Sequence, residues 1–600
     1  MFSFIQNLFY YNSENNYKNL EQIKEHIVNT KTKEEFLDQL MKNSYKKLNL
    51  NDQNYHKLIK NYDIENNHLL FLENDLYNAL QKVLKYHEYV KSNNPLTKNK
   101  FRVNPKFSKN DFEKYHEPTE SNHETNSNVN LELKIEESLF KFNNDEITVT
   151  EFNENFKEKK QTIDMFGITK LMLSDLSDLS KQQIVNKYNE ILQQPELCAE
   201  YNIGRNFFMY KAQKKGKVDD LKSFRQVIAI PVAVSHFHRI MAIRMNDYLV
   251  KNKYIDTTIQ KAGISDLKLG MFEQIIKLKN IIKDANKNSK PLCVMYIDVS
   301  DAFPSMKIDN VCHVLKKYNV PDNIISYIKC YYQDFKYYSG TKDWSSDITK
   351  WNKGLLQGCP MSPILFVTVI NYILKYLQNK YDNASYKINN EKKALFLAYM
   401  DDIAITTQSL SSMKYLYSEL EQIFKDFGLF INKNKTKLML VNCKNEFDIG
   451  IEVVNKYKYL GQEMLSNGDS YSCLLNLLYM LRQKLSWVDK LNITKEEKLG
   501  HLTSKILPIV QRKLSILYDI NFEDKLNILR LIKTYSLKWS QEDIEINVAI
   551  NLKEIFANTS DEILQNLDFV DDRSFDNISL GQKCVMKLSE IGSLYENINK

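Results

Sequence analysis

The sequence predicts an α+β protein whose mixed centre lies between helical regions. Gly (15) and Pro (11) are scarce for 600 residues, which favours long helices over a loop-rich chain. From about residue 163 to residue 466, short apolar runs of strand length alternate with segments whose apolar residues have helical spacing. A chain of this length forms about three or four structural units rather than one core.

The N-terminal region is predicted to be helical. Residues 1–116 carry apolar side chains at helical spacing, among them Leu69, Leu72 and Leu76. Residues 117–130 contain almost no apolar side chain, and we expect a polar linker there. The first domain therefore precedes the mixed centre as a separate extension.

The centre of the chain carries the predicted strands. Four short apolar runs are predicted to be strands, at residues 207–210, 227–231, 293–299 and 395–405. Helices are expected between them, for example at residues 370–377 and 413–427. Residues 466–600 return to a helical pattern, so the mixed region ends near residue 465.

Composition limits the classes of partner and compartment. The net charge of +7 and the pI of about 8.6 are too mild to predict nucleic-acid binding without local clustering. The eight cysteines form no Cys-x-x-Cys pair, so we expect free thiols and no zinc finger. Residues 1–11 are apolar but lack the basic start of a signal peptide, and no apolar run reaches membrane-spanning length. We therefore expect a soluble, intracellular protein without a membrane partner.

Three aspartates end or interrupt predicted strands. Asp298 lies near the end of the apolar run 292–299, and Asp401 and Asp402 lie between two short apolar segments that predict a hairpin. Adjacent carboxylates repel each other and are costly to ionise when half-buried, unless a cation is present. A polar turn is the simpler interpretation of an isolated Asp-Asp pair. Together with Asp298, however, the pair provides an all-oxygen donor set that suits Mg²⁺. Two such ions about 4 Å apart can activate a 3′-hydroxyl and stabilise a pyrophosphate leaving group.

The segments that contain these aspartates and several other segments occur in the same order as in a known family. They are FMYK at Phe208, FRQVIAIP at Phe224, QKAG at Gln260, DVSDAF at Asp298, GLLQGCPMSPILF at Gly354, YMDD at Tyr399, GLFINKNKT at Gly428 and YLG at Tyr459. Taken together, these segments resemble the motifs of reverse transcriptases, over residues 163–516. The most similar branch is that of non-long-terminal-repeat retrotransposons and group II introns. Gln226 stands where the family usually has proline. Pro304 also departs from the usual pattern, at a position that is not a metal ligand in the family.

The resemblance implies a right-hand polymerase fold with an antiparallel palm sheet. Beyond the helical extension 1–116 and the linker 117–130, it implies fingers with the start of the palm at 131–290. The palm with the catalytic motifs would occupy 291–465, and a helical thumb with a C-terminal tail would occupy 466–600. The implied reaction is DNA synthesis from a nucleic-acid primer on an RNA or DNA template, with deoxynucleoside triphosphates (dNTPs) as substrates. The oligomeric state stays open.

The resemblance also implies roles in catalysis. Asp298 and Asp401 would bind both Mg²⁺ ions, for which Mn²⁺ can substitute, and Asp402 would contribute less. Val299 would offer its backbone carbonyl to a metal ion. Lys435 would protonate the leaving pyrophosphate.

Nucleotide binding is expected from other residues. A bulky ring at Phe303 would exclude a 2′-hydroxyl, although a core aromatic is the alternative. Gln357 and Gly358 would approach the nascent base pair, although a plain helix start would also explain them. The hairpin 207–231 is rich in basic residues and suits a triphosphate clamp, with a basic solvated turn as the alternative. The clamp residues that we predict are Lys211, Lys222 and Arg225.

Two other functions compete with this prediction. A viral RNA-dependent RNA polymerase shares the fold, but Phe303 and the Gln-Gly motif argue against it, because such enzymes must accept a 2′-hydroxyl. A non-catalytic, maturase-like RNA-binding protein is the other alternative. The intact Asp298, Asp401 and Asp402 argue against that, because a decayed site is expected to lose a carboxylate.

Overall fold

A computed structural model describes the central part of the chain. The described residues are 131–516, except 157–163, 165–167, 212–219, 265–269, 341–345, 390–391, 445–447 and 470, together with Lys109, Phe112, Ile528, Leu531, Ile532 and Tyr535. The predicted helical extension 1–116 and linker 117–130 therefore lie outside the described residues, apart from Lys109 and Phe112. Most of the predicted C-terminal tail beyond residue 516 also lies outside them.

The described residues mix helices and strands. The helices are α1 (Val149–Glu154), α2 (Lys170–Ser174), α3 (Asp178–Gln193), α4 (Val232–Lys251), α5 (Gly270–Lys287), α6 (Ala302–Ser305), α7 (Ile308–Lys317), α8 (Asp322–Gln333), α9 (Ser362–Lys380), α10 (Leu410–Asp426), α11 (Tyr471–Asp489), α12 (Lys495–His501) and α13 (Leu507–Ile516). The strands are β1 (Ile203–Tyr210), β2 (Phe224–Ala229), β3 (Leu292–Ile297), β4 (Val299–Ser300), β5 (Lys336–Ser339), β6 (Thr349–Lys350), β7 (Tyr386–Lys387), β8 (Lys393–Ala394), β9 (Phe396–Tyr399), β10 (Asp402–Thr407), β11 (Phe430–Ile431), β12 (Lys437–Val441), β13 (Lys456–Tyr459) and β14 (Gln462–Leu465). The predicted helices at 370–377 and 413–427 are confirmed within α9 and α10.

The chain divides into two compact units. The first contains the described residues of Lys134–Tyr254 and Phe303–Val369, with Lys109 and Phe112. Its sheet has the strand order β2-β1-β5-β6, with β1 antiparallel to β2 and parallel to β5. Fully buried aromatic side chains fill much of its core, among them Phe237, Tyr327 and Tyr331.

The strand predicted at residues 227–231 is displaced in this sheet. The observed strand is β2, which ends at Ala229, and Pro231 is instead the N-cap of α4. The physical reason is that proline has no N–H for a sheet ladder but fits the start of a helix. The predicted strand 207–210 is confirmed as the second half of β1.

The second unit contains Leu131–Leu133 and the described residues of Ile255–Ala302 and of the chain from Ile370 onward. Its main sheet is antiparallel, with the strand order β12-β3-β10-β9. Every residue of β3 is buried, as expected for a strand covered on both faces. Helix α5 packs on this sheet, where Ile275, Leu278 and Ile282 share a core with Val294 and Tyr296.

The strands that carry the aspartates differ slightly from the prediction. The strand predicted at 293–299 ends at Ile297, and Val299 belongs to the short strand β4, which pairs with β11. The hairpin predicted at 395–405 is confirmed as β9 and β10, with Tyr399 paired to Asp402. Asp402 is therefore the first residue of β10, and only Met400 and Asp401 form the loop.

The C-terminal part of the second unit is helical, as predicted, over residues 471–516. Helices α11, α12 and α13, with the π-helical segment Leu502–Ile506, bury a separate apolar core. Within the described part of the chain, no helix is both long enough and apolar enough to cross a membrane.

Candidate active site

The backbone of Asp298 is held at the end of β3 by the loop that precedes β12. Its N–H donates to the hydroxyl of Thr436 at 3.2 Å, and its C=O accepts from the N–H of Asn432 at 2.8 Å. Thr436 is fully buried, whereas the Asp298 side chain is 28% exposed. The carboxylate therefore projects from a fixed backbone towards solvent.

The pairing of β3 with β10 brings a second aspartate alongside. Ile297 pairs with Ile403 in the antiparallel register, and the same register carried one residue further places Asp402 opposite Asp298. Asp401 precedes it in the hairpin loop and is half-buried, while Asp402 is exposed. Two aspartates that are 104 positions apart in the sequence therefore share one edge of the sheet.

Tyr457 lies beside these two carboxylates and was not among the predicted site residues. Its ring stacks on Tyr296 of β3, with centroids 4.2 Å apart and an interplanar angle of 15°. Burial, and then the negative charges of Asp298 and Asp402, raise the pKa of Tyr457 to about 12. The hydroxyl therefore stays protonated at neutral pH. The alternating Lys-Tyr pattern of β13, which puts Tyr457 on the same face as Tyr459, was the available signal.

Lys435 forms an ion pair with one of the predicted metal ligands. Its Nζ lies 2.8 Å from Oδ2 of Asp298, and its side chain is 47% exposed. The neighbouring Lys433 and Lys437 pair with glutamates instead, at 2.8 and 2.6 Å. The structure therefore distinguishes Lys435 from two lysines that look equivalent in the sequence.

The three aspartates offer the kind of oxygen donor that divalent cations prefer. Asp298 follows β3, Asp401 and Asp402 belong to the β9–β10 hairpin, and the carboxylate of Asp298 pairs with the ammonium of Lys435. Among the described residues, no three His, Cys, Asp or Glu side chains already form a cluster that could hold one ion. Val299, the predicted carbonyl ligand, is buried in β4 and pairs with Ile431.

The predicted nucleotide-binding residues lie in the first unit. The backbone of Ile228 in β2 donates to the carbonyl of Gln357 at 2.7 Å. Gly358 has φ of +120°, and a Cβ there would lie only 2.3 Å from the carbonyl oxygen of Ile228. Only glycine fits this close approach. Arg225 is exposed on the same strand. Strand β2 therefore carries Arg225 and contacts Gln357 and Gly358, which are three of the predicted nucleotide-binding residues.

Phe303 belongs to the same unit. Its ring stacks on the buried Phe366, with centroids 4.7 Å apart and an interplanar angle of 11°. Its carbonyl accepts from the N–H of Leu355 at 2.9 Å, which ties it to the segment before Gln357. The ring is half-buried, so it is a packed aromatic with part of its surface accessible.

The basic hairpin is only partly described. The N–H of Lys211 donates to the carbonyl of Ser223 at 2.8 Å, which closes the base of the hairpin. Residues 212–219 and the side chain of Lys222 lie outside the described part of the structure. The clamp role of Lys211, Lys222 and Arg225 therefore stays a prediction.

Comparison with known proteins agrees with the arrangement of these motifs. The family model described as reverse transcriptase (RNA-dependent DNA polymerase) matches residues 212–464. Residues 212–464 are a reverse-transcriptase domain. The domain has the mixed α and β structure of a polymerase-like fold, and its family uses divalent metal ions.

Curated relatives of this chain include Pol polyproteins of R2 retrotransposable elements, which are non-long-terminal-repeat retrotransposons. The Pol polyprotein of the type-1 element R2 from Nasonia vitripennis is 26% identical over 250 residues, which are 42% of this chain and 23% of that protein. The Pol polyprotein of the type-2 element R2DM from Drosophila melanogaster is 21% identical over 381 residues, which are 60% of this chain and 34% of that protein. The chain thus spans about a quarter to a third of the length of these relatives.

Solved structures with similarity to the chain include yeast telomerases. The apo telomerase from Candida tropicalis has a TM-score of 0.36 and 12% identity, over 65% of this chain and 67% of that one. The telomerase from Candida albicans in complex with a telomeric RNA fragment has a TM-score of 0.31 and 13% identity, over 66% and 72%.

Proposed function

We propose that this chain is a reverse transcriptase that extends a nucleic-acid primer with dNTPs on an RNA or DNA template. The observation that carries the proposal is the β3–β10 register, which sets Asp298 opposite Asp402 inside the matched domain. In the corresponding architecture, residues 131–290 form the fingers with the start of the palm. Residues 291–465 form the rest of the palm, and residues 466–600 form the thumb and tail.

The proposed metal ligands are Asp298 and Asp401, with a smaller contribution from Asp402 and from the backbone carbonyl of Val299. Two bound Mg²⁺ ions, or Mn²⁺ in their place, would supply Lewis-acid activation of the primer 3′-hydroxyl and charge neutralisation of the leaving pyrophosphate. The protein fixes the Asp298 backbone through Thr436 and Asn432. That support keeps the carboxylate in place when its charge partner changes.

The proposed nucleotide contacts are those of the first unit. Arg225 would grip phosphate with its planar guanidinium, because this group matches two phosphate oxygens at once. Gln357 and Gly358 would lie against the nascent base pair, where the missing side chain at Gly358 allows close backbone approach. Lys211 and Lys222 would add positive charge for the triphosphate.

The proposed proton donor to the leaving pyrophosphate is Lys435. Its ammonium pairs with Asp298, whereas the ammonium groups of its neighbours pair with glutamates. It is therefore the lysine of this segment that contacts a proposed metal ligand. A half-exposed ion pair contributes only about 0–1 kcal/mol to stability, so its replacement should not unfold the protein.

Replacing a metal ligand tests the proposal directly. In Asp298→Asn or Asp401→Asn, the side chain keeps its size but loses its charge, so we expect primer extension to fall at least about 10³-fold, or about 4 kcal/mol. Template–primer affinity should stay within about threefold, because phosphate contacts elsewhere provide it. Primer extension and fluorescence anisotropy measure the two quantities. Asp247→Asn, in an exposed pair with Lys251, is the matched control. Near-normal extension by either active-site variant would refute the assignment.

Lys435→Met separates the proton donor from a simple ion pair. General acid catalysis typically contributes about 10²–10⁴-fold, so we expect single-nucleotide incorporation to slow about 10²-fold and its solvent deuterium isotope effect to shrink. Lys433→Met is the control, because it removes an ion pair of the same length from the same loop. Rapid-quench kinetics in H₂O and D₂O measure both effects. An unchanged rate or isotope effect for Lys435→Met would remove this role.

Phe303→Val tests selection of the sugar. If the ring fills the space beside the 2′ carbon, a ribonucleotide clashes at a cost of about 1–3 kcal/mol, equivalent to about 5- to 150-fold. We expect the variant to raise incorporation of ribonucleotides relative to dNTPs about tenfold. Single-nucleotide kinetics with matched substrates measure the ratio. Phe366→Leu is the control, because it removes the ring on which Phe303 stacks without shortening residue 303. Equal ratios in both variants would indicate a packing role alone.

A further inference from the structure

The hairpin loop that carries Asp401 has an unfavourable backbone conformation. Met400 has φ of +57°, in the left-handed region. A two-residue hairpin loop needs a positive φ at its first central residue in the turn types that match strand twist. For a residue other than glycine, this conformation costs about 1–2 kcal/mol. Contacts around the loop must therefore hold Met400 in place.

The side chain of Gln260 provides those contacts. Its Oε1 accepts from the N–H of Met400 at 3.0 Å, and its Nε2 donates to the C=O of Met400 at 3.2 Å. Gln260 is fully buried, and its Oε1 also accepts from the N–H of Ala262 at 3.0 Å. One carboxamide thus binds both polar backbone groups of the residue that precedes Asp401.

The backbone around Gln260 pairs with β9 of the same hairpin through one parallel bridge. The N–H of Ala398 donates to the C=O of Ile259 at 2.9 Å, and the N–H of Lys261 donates to the C=O of Ala398 at 3.1 Å. This parallel bridge between Gln260 and Ala398 fixes the position of the carboxamide along β9. The side chain therefore reaches Met400 from a backbone that is already paired to the hairpin.

Helix α5 anchors the backbone segment around Gln260. Gln274, which is fully buried, donates to the carbonyls of Ile259 and Ala398 at 2.7 and 3.0 Å. Lys261 forms an ion pair with Glu273 at 2.5 Å, and both side chains are largely buried. The support is therefore continuous from the helix to the loop, over hydrogen bonds that are shielded from water.

We infer that Gln260 is a positioning residue that sets the orientation of Asp401 through the backbone of Met400. This inference rests on the proposed function, in which Asp401 binds metal. An uncharged carboxamide offers one acceptor and one donor at this length, which both backbone groups of Met400 require. A Glu carboxylate would place an acceptor against the carbonyl, and Asn is one methylene too short.

Replacement of the Gln260 carboxamide should therefore change the affinity of the protein for a divalent ion. Without the carboxamide, both polar groups of Met400 lose their partners and the left-handed conformation loses its support. Asp401 then samples other orientations, so an ion must order the loop as it binds. Partners of metal ligands typically change metal affinity about 10- to 100-fold when they are replaced.

The test compares Gln260→Met with Gln274→Met in the full chain. Each variant replaces a fully buried carboxamide by an apolar side chain of similar length. Gln260→Met removes three hydrogen bonds to the backbone, two to Met400 and one to Ala262, and Gln274→Met removes two, to Ile259 and Ala398. Only Gln260 contacts Met400. Mn²⁺ affinity is measured from the electron paramagnetic resonance signal of unbound Mn²⁺, without nucleic acid, and thermal unfolding is measured in parallel.

We expect Gln260→Met to raise the Kd for Mn²⁺ about tenfold, and to raise the Mg²⁺ concentration for half-maximal primer extension by a similar factor. Gln274→Met should also lower the Tm but change the Kd less than about threefold, because both hydrogen bonds from Gln260 to Met400 and the bridge between Gln260 and Ala398 remain. Equal Kd changes in both variants, or a wild-type Kd in Gln260→Met, would overturn the inference. If Gln260→Met does not fold, Gln260→Asn keeps the polarity and shortens the reach, and the same expectations apply to it.

The readouts distinguish this inference from the proposed function. Failure of the wild-type chain to extend any primer would refute the proposed function, while the Mn²⁺ comparison would still decide the role of Gln260. Normal extension by the wild-type chain with an unchanged Kd in Gln260→Met would refute the positioning role alone.

Discussion

The antiparallel pairing of β3 with β10 is the interaction on which the candidate site depends. β3 is buried along its whole length and pairs with β10 on one side and β12 on the other. Because side chains alternate along a strand, a shift of one residue would turn Asp402 to the opposite face from Asp298. Val294 and Tyr296 of β3 and Ala404 of β10 pack with α5 in one core, so a shifted register would also disrupt that core.

Separate contacts support Asp298 and the loop that carries Asp401. The loop before β12 holds the backbone of Asp298 through Thr436, and the side chain of Gln260 holds the loop of Asp401 through Met400. Lys435 supplies the positive charge nearest to Asp298. Each of these contacts is a hydrogen bond or an ion pair, and all of them lie within the second unit. They give the carboxylates a fixed place while the side chains stay partly accessible to solvent.

Much of this arrangement could be predicted because it is encoded locally. The apolar run before Asp298 predicted a strand there, and the two short runs around Asp401 predicted a hairpin. The order of these segments resembles the order in a known family. The role of Gln260 could not be predicted, because its partner is 140 residues away and no local pattern indicates that contact. Residue type alone did not distinguish Lys435 from Lys433 and Lys437, which are lysines two positions away on either side. The strand predicted at residues 227–231 was wrong at Pro231, because proline favours a helix start over a sheet ladder.

The proposed metal site lies where β3 ends and β10 begins. Its most direct test is anomalous diffraction from crystals of the full chain with Mn²⁺, a template–primer and a non-reactive dNTP analogue. We expect two anomalous peaks about 4 Å apart, both in contact with Asp298 and Asp401. Ordered nucleotide without a peak at Asp298, or Mn²⁺ bound only at other carboxylates, would contradict the proposed site.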